Sequence, residues 1–293
     1  MVDKLEFTGE RFTPECEREI WYEHIHRYAF AAQYCEGKQV LDAACGEGYG
    51  SSMLAKAAAT VIGVDIDDDA ISHAQQRYTD QTNLEFQSAD CTELPFGADR
   101  FDLIVCFETL EHLIAQQSMM SGFRRVLKPG GMLILSSPDK AEYSDKQGFQ
   151  NEFHVKELYR DELQNLISKD FPACRLLGQK LTFHSAIWDL EGVSKVSLQT
   201  SFPDGEISKG MLGHPPMYFI ALCAASDDCL PDLSGSLNLF DDSNETVYRH
   251  YQHEIEKNMA AGGIIADRDA QIQALKNEKD SGKPWWRRLT GKN

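Results

Sequence analysis

Between residues 40 and 136 the chain alternates short apolar runs with longer stretches that mix small, charged and apolar positions. Val40-Leu41 ends in Asp42, Val61-Ile-Gly-Val64 in Asp65, and Leu84-Glu-Phe-Gln-Ser-Ala89 in Asp90. Phe101-Asp-Leu-Ile-Val-Cys106 runs into Phe107-Glu108, and Met132-Leu-Ile-Leu-Ser136 follows Lys128-Pro-Gly-Gly131. Runs of this length, bounded by Gly, Pro and acids, predict buried strands, and the segments between them predict helices. Strands alternating with helices predict an α/β fold with a parallel sheet, whose ligands gather outside the carboxyl ends of the strands. Asp42, Asp65, Asp90 and Glu108 all fall at those ends.

The first of these junctions, Val40-Leu-Asp-Ala-Ala-Cys-Gly-Glu-Gly-Tyr-Gly50, carries glycines at 46, 48 and 50, and small helix formers follow from Ser51 to Ala59. This is the pattern of strand, tight turn and helix start, where missing side chains let a ligand approach the backbone. No Lys follows as it does in a phosphate-binding P-loop. Position 51 is Ser where a dinucleotide fingerprint would place its third glycine, which sets aside the nearest rival, a nicotinamide oxidoreductase. Asp65 sits where a carboxylate accepts both hydroxyls of a ribose.

In combination and order, VLDAACGEGYG, the strand end at Asp65, SADCTELPF, FDLIVCFETLEHL and LKPGGMLILSSP resemble the class I S-adenosylmethionine (SAM)-dependent methyltransferases over roughly residues 38–138. The resemblance implies a Rossmann-like sheet with helices on both faces. It also implies that the methionine part of SAM passes over Gly46 and Gly48, with Asp42 beneath the turn. Asp65 would take the ribose hydroxyls and Asp90 the adenine amino group, with Ile66 and Cys91 flanking the ring.

Transfer chemistry must come from elsewhere, and Glu108-Thr-Leu-Glu111-His112 is the leading candidate. In a helix, Glu108, Glu111 and His112 would share one face. His154, in Asn151-Glu-Phe-His-Val-Lys-Glu157 after the fifth strand, belongs to a loop that in this fold covers the same pocket. Two carboxylates and two imidazoles converging there would suit Mg²⁺, Mn²⁺ or Zn²⁺. Such a cation would chelate neighbouring hydroxyls and lower the pKa of one. The competing readings are metal-free, with His112 as the base, and purely structural. Glu152 and Glu157 are expected to face water.

Four segments organise the chain. Residues 1–37 form an N-terminal helical cap, helical from Glu15 to Cys35 and preceded by Gly9-Glu-Arg-Phe-Thr-Pro14. Residues 38–225 form the SAM-binding domain. Its later elements are a helix around Lys156–Ser168 and strands near Arg175–Thr182 and Met217–Ala224. An irregular insert, about 184–216, is the expected substrate cover. Residues 226–293 form a helical, coiled-coil-like tail in which Ile255, Ile265, Ile272 and Leu275 approximate a seam that Gly262-Gly263 is expected to interrupt. The tail ends in the basic aromatic run Lys283-Pro-Trp-Trp-Arg-Arg-Leu-Thr-Gly-Lys-Asn293, which suits a membrane interface or an acidic partner.

Composition narrows the partners. With 46 acids against 29 bases the formal net charge is −17, which opposes binding to a phosphate backbone and excludes nucleic acid as the expected substrate. The eight cysteines show no paired metal-type spacing and read as reduced core thiols. Met1-Val-Asp-Lys-Leu-Glu-Phe-Thr-Gly-Glu-Arg-Phe12 is not patterned as a secretory leader, and no apolar run approaches the ~20 residues of a membrane span. The expected location is cytoplasmic, or peripheral at the inner membrane face.

The E-x-x-E-H pattern is similar to ubiquinone-pathway catechol O-methyltransferases and to small-RNA 2′-O-methyltransferases; net charge disfavours the latter. Including FTGERFTPECEREIWYEHIHRYAFA and NEFHVKELYRDEL, roughly residues 6–170 resemble bacterial methyltransferases of surface-polysaccharide (O-antigen or capsule) biosynthesis. That resemblance makes Arg11, His26 and Arg27 candidates for the SAM carboxylate or the acceptor. It implies methylation of a sugar hydroxyl on a glycan or lipid-linked oligosaccharide, in some of the group capping the growing chain. Glycosyltransferases or a membrane surface are the expected partners of the tail, and a homo-oligomer is compatible with it. The alternatives are a catechol-like acceptor and a non-catalytic SAM-binding scaffold of a glycan assembly complex.

Overall fold

The computed structural model of the chain describes residues 13, 19–187, 189–191, 196–210 and 212–280. Arg11, most of the 9–14 motif, Trp188 and the Lys283–Asn293 run lie outside the described residues. The chain separates into two compact units, Met1–Phe240 and Asp241–Asn293.

In the first unit α1 (Glu19–Ala32) precedes β1 (Gln39–Ala43), α2 (Tyr49–Ala55), β2 (Thr60–Asp65), α3 (Asp68–Arg77), β3 (Leu84–Ser88) and β4 (Phe101–Cys106). Then come a 3₁₀ turn at Leu110–His112, α4 (Gln116–Val126), β5 (Leu127–Pro138), a π-turn at Ala141–Asp145 and α5 (Arg160–Ile167). The unit closes with β6 (Ala173–Gln179), the short β7 (Gln199–Ser201) and β8 (Ile207–Lys209), β9 (Tyr218–Ala224) and a 3₁₀ turn at Asp227–Cys229. The main sheet has the order β3-β2-β1-β4-β5-β9-β6. The first five strands are parallel as expected, but β9 inserts antiparallel between β5 and β6, making the sheet mixed. Within the insert, β7 and β8 pair as a small antiparallel ribbon.

Successive residues of a strand point to opposite faces, and both faces here are covered. Leu103, Val105, Met132 and Ile134 join the core beneath α1, α2 and α3. Ile104, Cys106, Leu133 and Leu135 join the core beneath α4 and α5. This is why β4 and β5 read as continuous apolar runs rather than alternating ones. Residues 226–240 belong with this unit: Phe240 stacks on His26 at 5.3 Å, and Asn238 Oδ1 lies 2.8 Å from His26 Nε2. Seven cysteines are free and most are buried, with no disulfide among the described residues.

In the second unit Asp242 accepts from the backbone N–H of Asn244 and Thr246 at 2.8 and 3.0 Å, ordering the start of α6 (Thr246–Asp280). The helix runs through Gly262-Gly263 without a break, so the pair leaves a gap in the apolar seam but not in the helix. Each glycine costs about 1 kcal/mol against alanine, which the Ala, Lys, Glu and Gln around the pair offset. Ile255, Ile265, Ile272 and Leu275 are all exposed. No helix among the described residues is long and apolar enough to cross a membrane.

Candidate active site

β1 ends at Ala43, and the chain reverses through Ala44 (φ +58°), Gly46 (φ +55°) and Gly48 (φ +88°) before entering α2. The glycines have different reasons to be there. A Cβ on Gly48 would lie 2.5 Å from the Phe86 ring, and one on Gly50 would lie 2.0 Å from the Tyr28 ring. A Cβ on Gly46 would meet nothing within 4 Å. Gly48 and Gly50 thus serve packing, whereas Gly46 borders open space of the kind a cofactor lying over the turn requires.

Adjacent strand ends supply the acids. Asp65 Oδ2 accepts from Gly46 N–H at 2.8 Å and Oδ1 from Asp67 N–H at 3.0 Å. Asp67 in turn caps α3 by accepting from Asp69 and Ala70 N–H. Asp90 Oδ1 accepts from the N–H and Oγ1 of Thr92, both at 2.7 Å. Ile66 is 72% exposed, and Cys91 is buried. Ile66, directly after Asp65, thus presents an exposed apolar side chain at the carboxyl end of β2.

Asp42 is fully buried beneath the turn, accepting from Ser51 Oγ at 2.6 Å and Tyr28 Oη at 3.1 Å. Burial pushes its carboxyl up to about 7, against the pull of those two donors. Glu47, unnoticed in the sequence, is 1% exposed and ties the turn to α3 through Arg77 at 3.1 Å and Tyr78 Oη at 3.3 Å.

β4 lies beside β1, with Cys106 opposite Ala43, so the segment after β4 emerges next to the glycine turn. Glu108 has φ +47°, a strained conformation for a side chain of its size. Its N–H donates to Ser136 Oγ at 2.9 Å, and Ser136 Oγ donates back to Oε1 at 2.5 Å. Glu108 also lies 3.5 Å from Arg27 Nη1. It is therefore turned into a buried network and is not among the residues brought together with His112 and His154. The helical face expected for 108–112 does not form, because the left-handed residue precedes a single 3₁₀ turn.

Glu111, His112 and His154 do converge, with one ligating atom of each within 4.8 Å of the others. Glu111 carbonyl oxygen accepts from Val155 and Lys156 N–H, both at 2.9 Å, stitching the 3₁₀ turn to the loop that carries His154. His112 Nδ1 lies 3.0 Å from Phe153 O. A carbonyl only accepts, so Nδ1 bears the hydrogen and Nε2 is the basic nitrogen. His154 Nδ1 likewise lies 2.6 Å from Glu157 Oε1, again leaving Nε2 basic. The Glu157 side chain is 8% exposed and holds His154, rather than facing water as expected. Imidazoles whose Nδ1–H is fixed by an outer oxygen are the usual form of metal-binding or proton-accepting histidines. Two imidazoles with one carboxylate suit Mn²⁺ or Zn²⁺ better than Mg²⁺, which prefers oxygen donors.

Arg27 is 3% exposed, donates to Gln179 Oε1 at 3.0 Å and stacks over Tyr218 at 4.9 Å. On the next turn of α1, burial raises Glu23 to about 7, partly opposed by Arg27 and reinforced by Glu108. Neither Glu23, Gln179 nor Tyr218 carries a local sequence signal; only the packing of α1 across β6 and β9 assembles them. His26, grouped with Arg27 on sequence grounds, points instead to Asn238 and Phe240.

Residues 35–185, just over half of the chain, match the family described as methyltransferase domain. Over 166 residues the chain is 36% identical to a probable SAM-dependent methyltransferase of Mycolicibacterium smegmatis, covering 56% of this chain and 63% of that protein. A probable SAM-dependent methyltransferase of Mycobacterium tuberculosis matches equally, over 60% of its length. The chain therefore spans about three-fifths of the length of these relatives. A ubiquinone biosynthesis O-methyltransferase of Coxiella burnetii is 42% identical over 106 residues, 35% of this chain and 44% of that protein. Among solved structures, the YcgJ protein of Bacillus subtilis superposes with a TM-score of 0.51 at 18% identity, covering 69% of this chain and 100% of that one, and shares the fold. With the open glycine turn and the strand-end acids in place, the chain belongs to the methyltransferase domain family, and its first unit carries an S-adenosylmethionine-dependent methyltransferase domain.

Proposed function

We propose that this protein is an O-methyltransferase acting on a sugar hydroxyl of a bacterial surface glycan or its lipid-linked precursor. The observation that carries the reading is the His112–His154 pair beside Glu111, because an alcohol attacks a methyl group well only as its proton is removed. SAM supplies an electrophilic methyl on sulfur. His112 would take the acceptor proton on Nε2 while Phe153 O holds Nδ1–H. Glu111, with Oε1 4.0 Å from that Nε2, would offset the imidazolium charge. A divalent cation held by Glu111, His112 and His154 would instead lower the acceptor's own pKa.

The sugar assignment is supported by the flanking motifs and by the net charge of −17, which opposes polyanionic acceptors. A catechol-like acceptor is the second reading, favoured by the 106-residue similarity to a protein named for ubiquinone biosynthesis. The tail would serve as the contact to a glycosyltransferase or membrane surface.

Transfer of labelled methyl from SAM to terminal-sugar oligosaccharides, a catechol and an RNA duplex, with and without EDTA, tests these readings. Label on a terminal sugar is expected; label on the catechol alone would overturn the glycan reading. Loss with EDTA and recovery with Mn²⁺ or Zn²⁺ would establish the cation form, and indifference to EDTA the His112 base. No transfer by wild type, with SAM still bound, would favour the scaffold.

A further inference from the structure

A cavity of about 400 Å³ lies away from the glycine turn, between α1, the end of β6 and the segment 231–240. None of the strand-end acids lines it. Its size falls in the range of small-molecule sites. His26, Arg27, Lys180, His184 and His214 border it, and no Asp or Glu does among the described residues. In a chain with 46 acids against 29 lysines and arginines, a lining that holds Arg27 and Lys180 but no carboxylate is unexpected for an arbitrary hollow.

Four of these side chains already have partners in the protein, and some of the partners also line the cavity: Gln179 for Arg27, Asn238 for His26 and Thr182 for His184. Arg27 is paired with Glu108, and Lys180 Nζ lies 3.6 Å from Glu142 and 3.3 Å from Pro215 O. Arg27 Nε is buried without an acceptor, a donor whose desolvation is uncompensated in the protein alone. The rest of the lining is apolar, including Phe30, Leu177 and Ile220. At its edge Leu212, Leu237 and Leu239 are 44, 40 and 64% exposed, an uncovered apolar rim.

We infer that this cavity binds an alkyl phosphate: a phosphate group among Arg27, Lys180, His184 and His214, with its hydrocarbon against Phe30, Leu177, Ile220 and the leucine rim. Donors arriving from α1, the end of β6 and the 212–216 loop suit an anion with several oxygens rather than a planar carboxylate. Buried methylenes would add to the phosphate contacts, so the whole molecule should bind more tightly than either of its parts. The inference does not rest on the methyl acceptor's being a sugar.

Calorimetric titration of the whole protein with octyl phosphate below its micellar concentration, and with inorganic phosphate and octanol, tests it. Octyl phosphate is expected to bind at least tenfold more tightly than either fragment. Lys180→Glu/His214→Glu, a change of two non-core side chains, should weaken octyl phosphate at least tenfold with unchanged circular dichroism. Leu237→Asn should weaken octyl phosphate and leave inorganic phosphate unaffected. Binding of octanol as tight as octyl phosphate, affinity within twofold after the double substitution, or no binding of octyl phosphate at millimolar concentration would each overturn the assignment.

Discussion

Replacing Gly46 and, separately, Gly50 by alanine separates two jobs of the turn. At Gly46 the added methyl meets no atom of the protein, so its only direct cost is the left-handed backbone at φ +55°, about 1–2 kcal/mol for an L-residue. Reduced freedom of the unfolded chain returns about 0.4–1 kcal/mol, leaving about 1 kcal/mol, or about 2–4 °C in Tm for a unit of this size. The methyl nevertheless occupies the space through which the cofactor would pass, so affinity for S-adenosylhomocysteine should fall at least tenfold.

At Gly50 the arithmetic runs the other way. The methyl lands 2.0 Å from Tyr28 Cζ. Tyr28 is 4% exposed, bonded to Asp42 and packed edge-on against Tyr49 and Phe107 at 5.2 and 5.1 Å, so it has no room to yield. Overpacking costs about 1–3 kcal/mol, and losing the hydroxyl bond to a buried carboxylate about 1–3 more. The better helix propensity of alanine returns about 1. A net loss of about 2–4 kcal/mol is expected by urea denaturation, with a smaller affinity loss than in Gly46→Ala measured on the folded fraction by calorimetry. Wild-type cofactor affinity in Gly46→Ala would refute the turn as the cofactor's floor; wild-type stability in Gly50→Ala would refute the Tyr28 packing argument.

The buried Asp42 makes stability depend on pH in a defined direction. Its folded pKa of about 7 lies above the unfolded value of about 3.9, so the folded state binds the proton more tightly, and the contribution present below about pH 4 is lost as pH rises to about 7. At ~1.4 kcal/mol per tenfold change the full swing is about 4 kcal/mol. Glu23 titrates in the same sense, so the comparison is with Asp42→Asn: the stability difference between the two proteins should move by that order against wild type from pH 4 to 7, and a constant difference would contradict a buried ionisable Asp42. At the other site, Glu157→Gln removes the charged acceptor of His154 Nδ1–H, and methyl transfer should fall about 10–100-fold with S-adenosylhomocysteine affinity unchanged. An unaltered rate would remove His154 from the reaction.

The elements around the cofactor were legible because their signals are local. A strand, a glycine turn and a helix start follow one another within residues 40–59, and the acids closing β2 and β3 sit at strand ends whatever the sheet's final order. Parallel β1–β5 follow from alternation alone. The chemistry beyond the cofactor was only half legible: Glu111, His112 and His154 were recognisable as chemistry-bearing residues, but their meeting depends on the 111–155 backbone contacts. Glu108 illustrates the limit, since its spacing from His112 suits a helix while Ser136 and Arg27, distant in sequence, draw it into another network.

The Glu23–Arg27–Tyr218 cluster and the basic cavity beside β6 arise only where α1 meets β6 and β9 at the sheet edge, whereas Glu157 holds His154 from three residues away, a local pair that depends on how the 151–157 loop folds. The continuous α6 is a different case, because the propensity of many residues outweighed two glycines. Periodicity and turn chemistry act over a few residues and so determined the strands, the turn and the strand-end acids. Burial, charge pairing and the hydrogen-bond partners of individual side chains depend on neighbours tens to hundreds of residues away, and these only the tertiary structure decided.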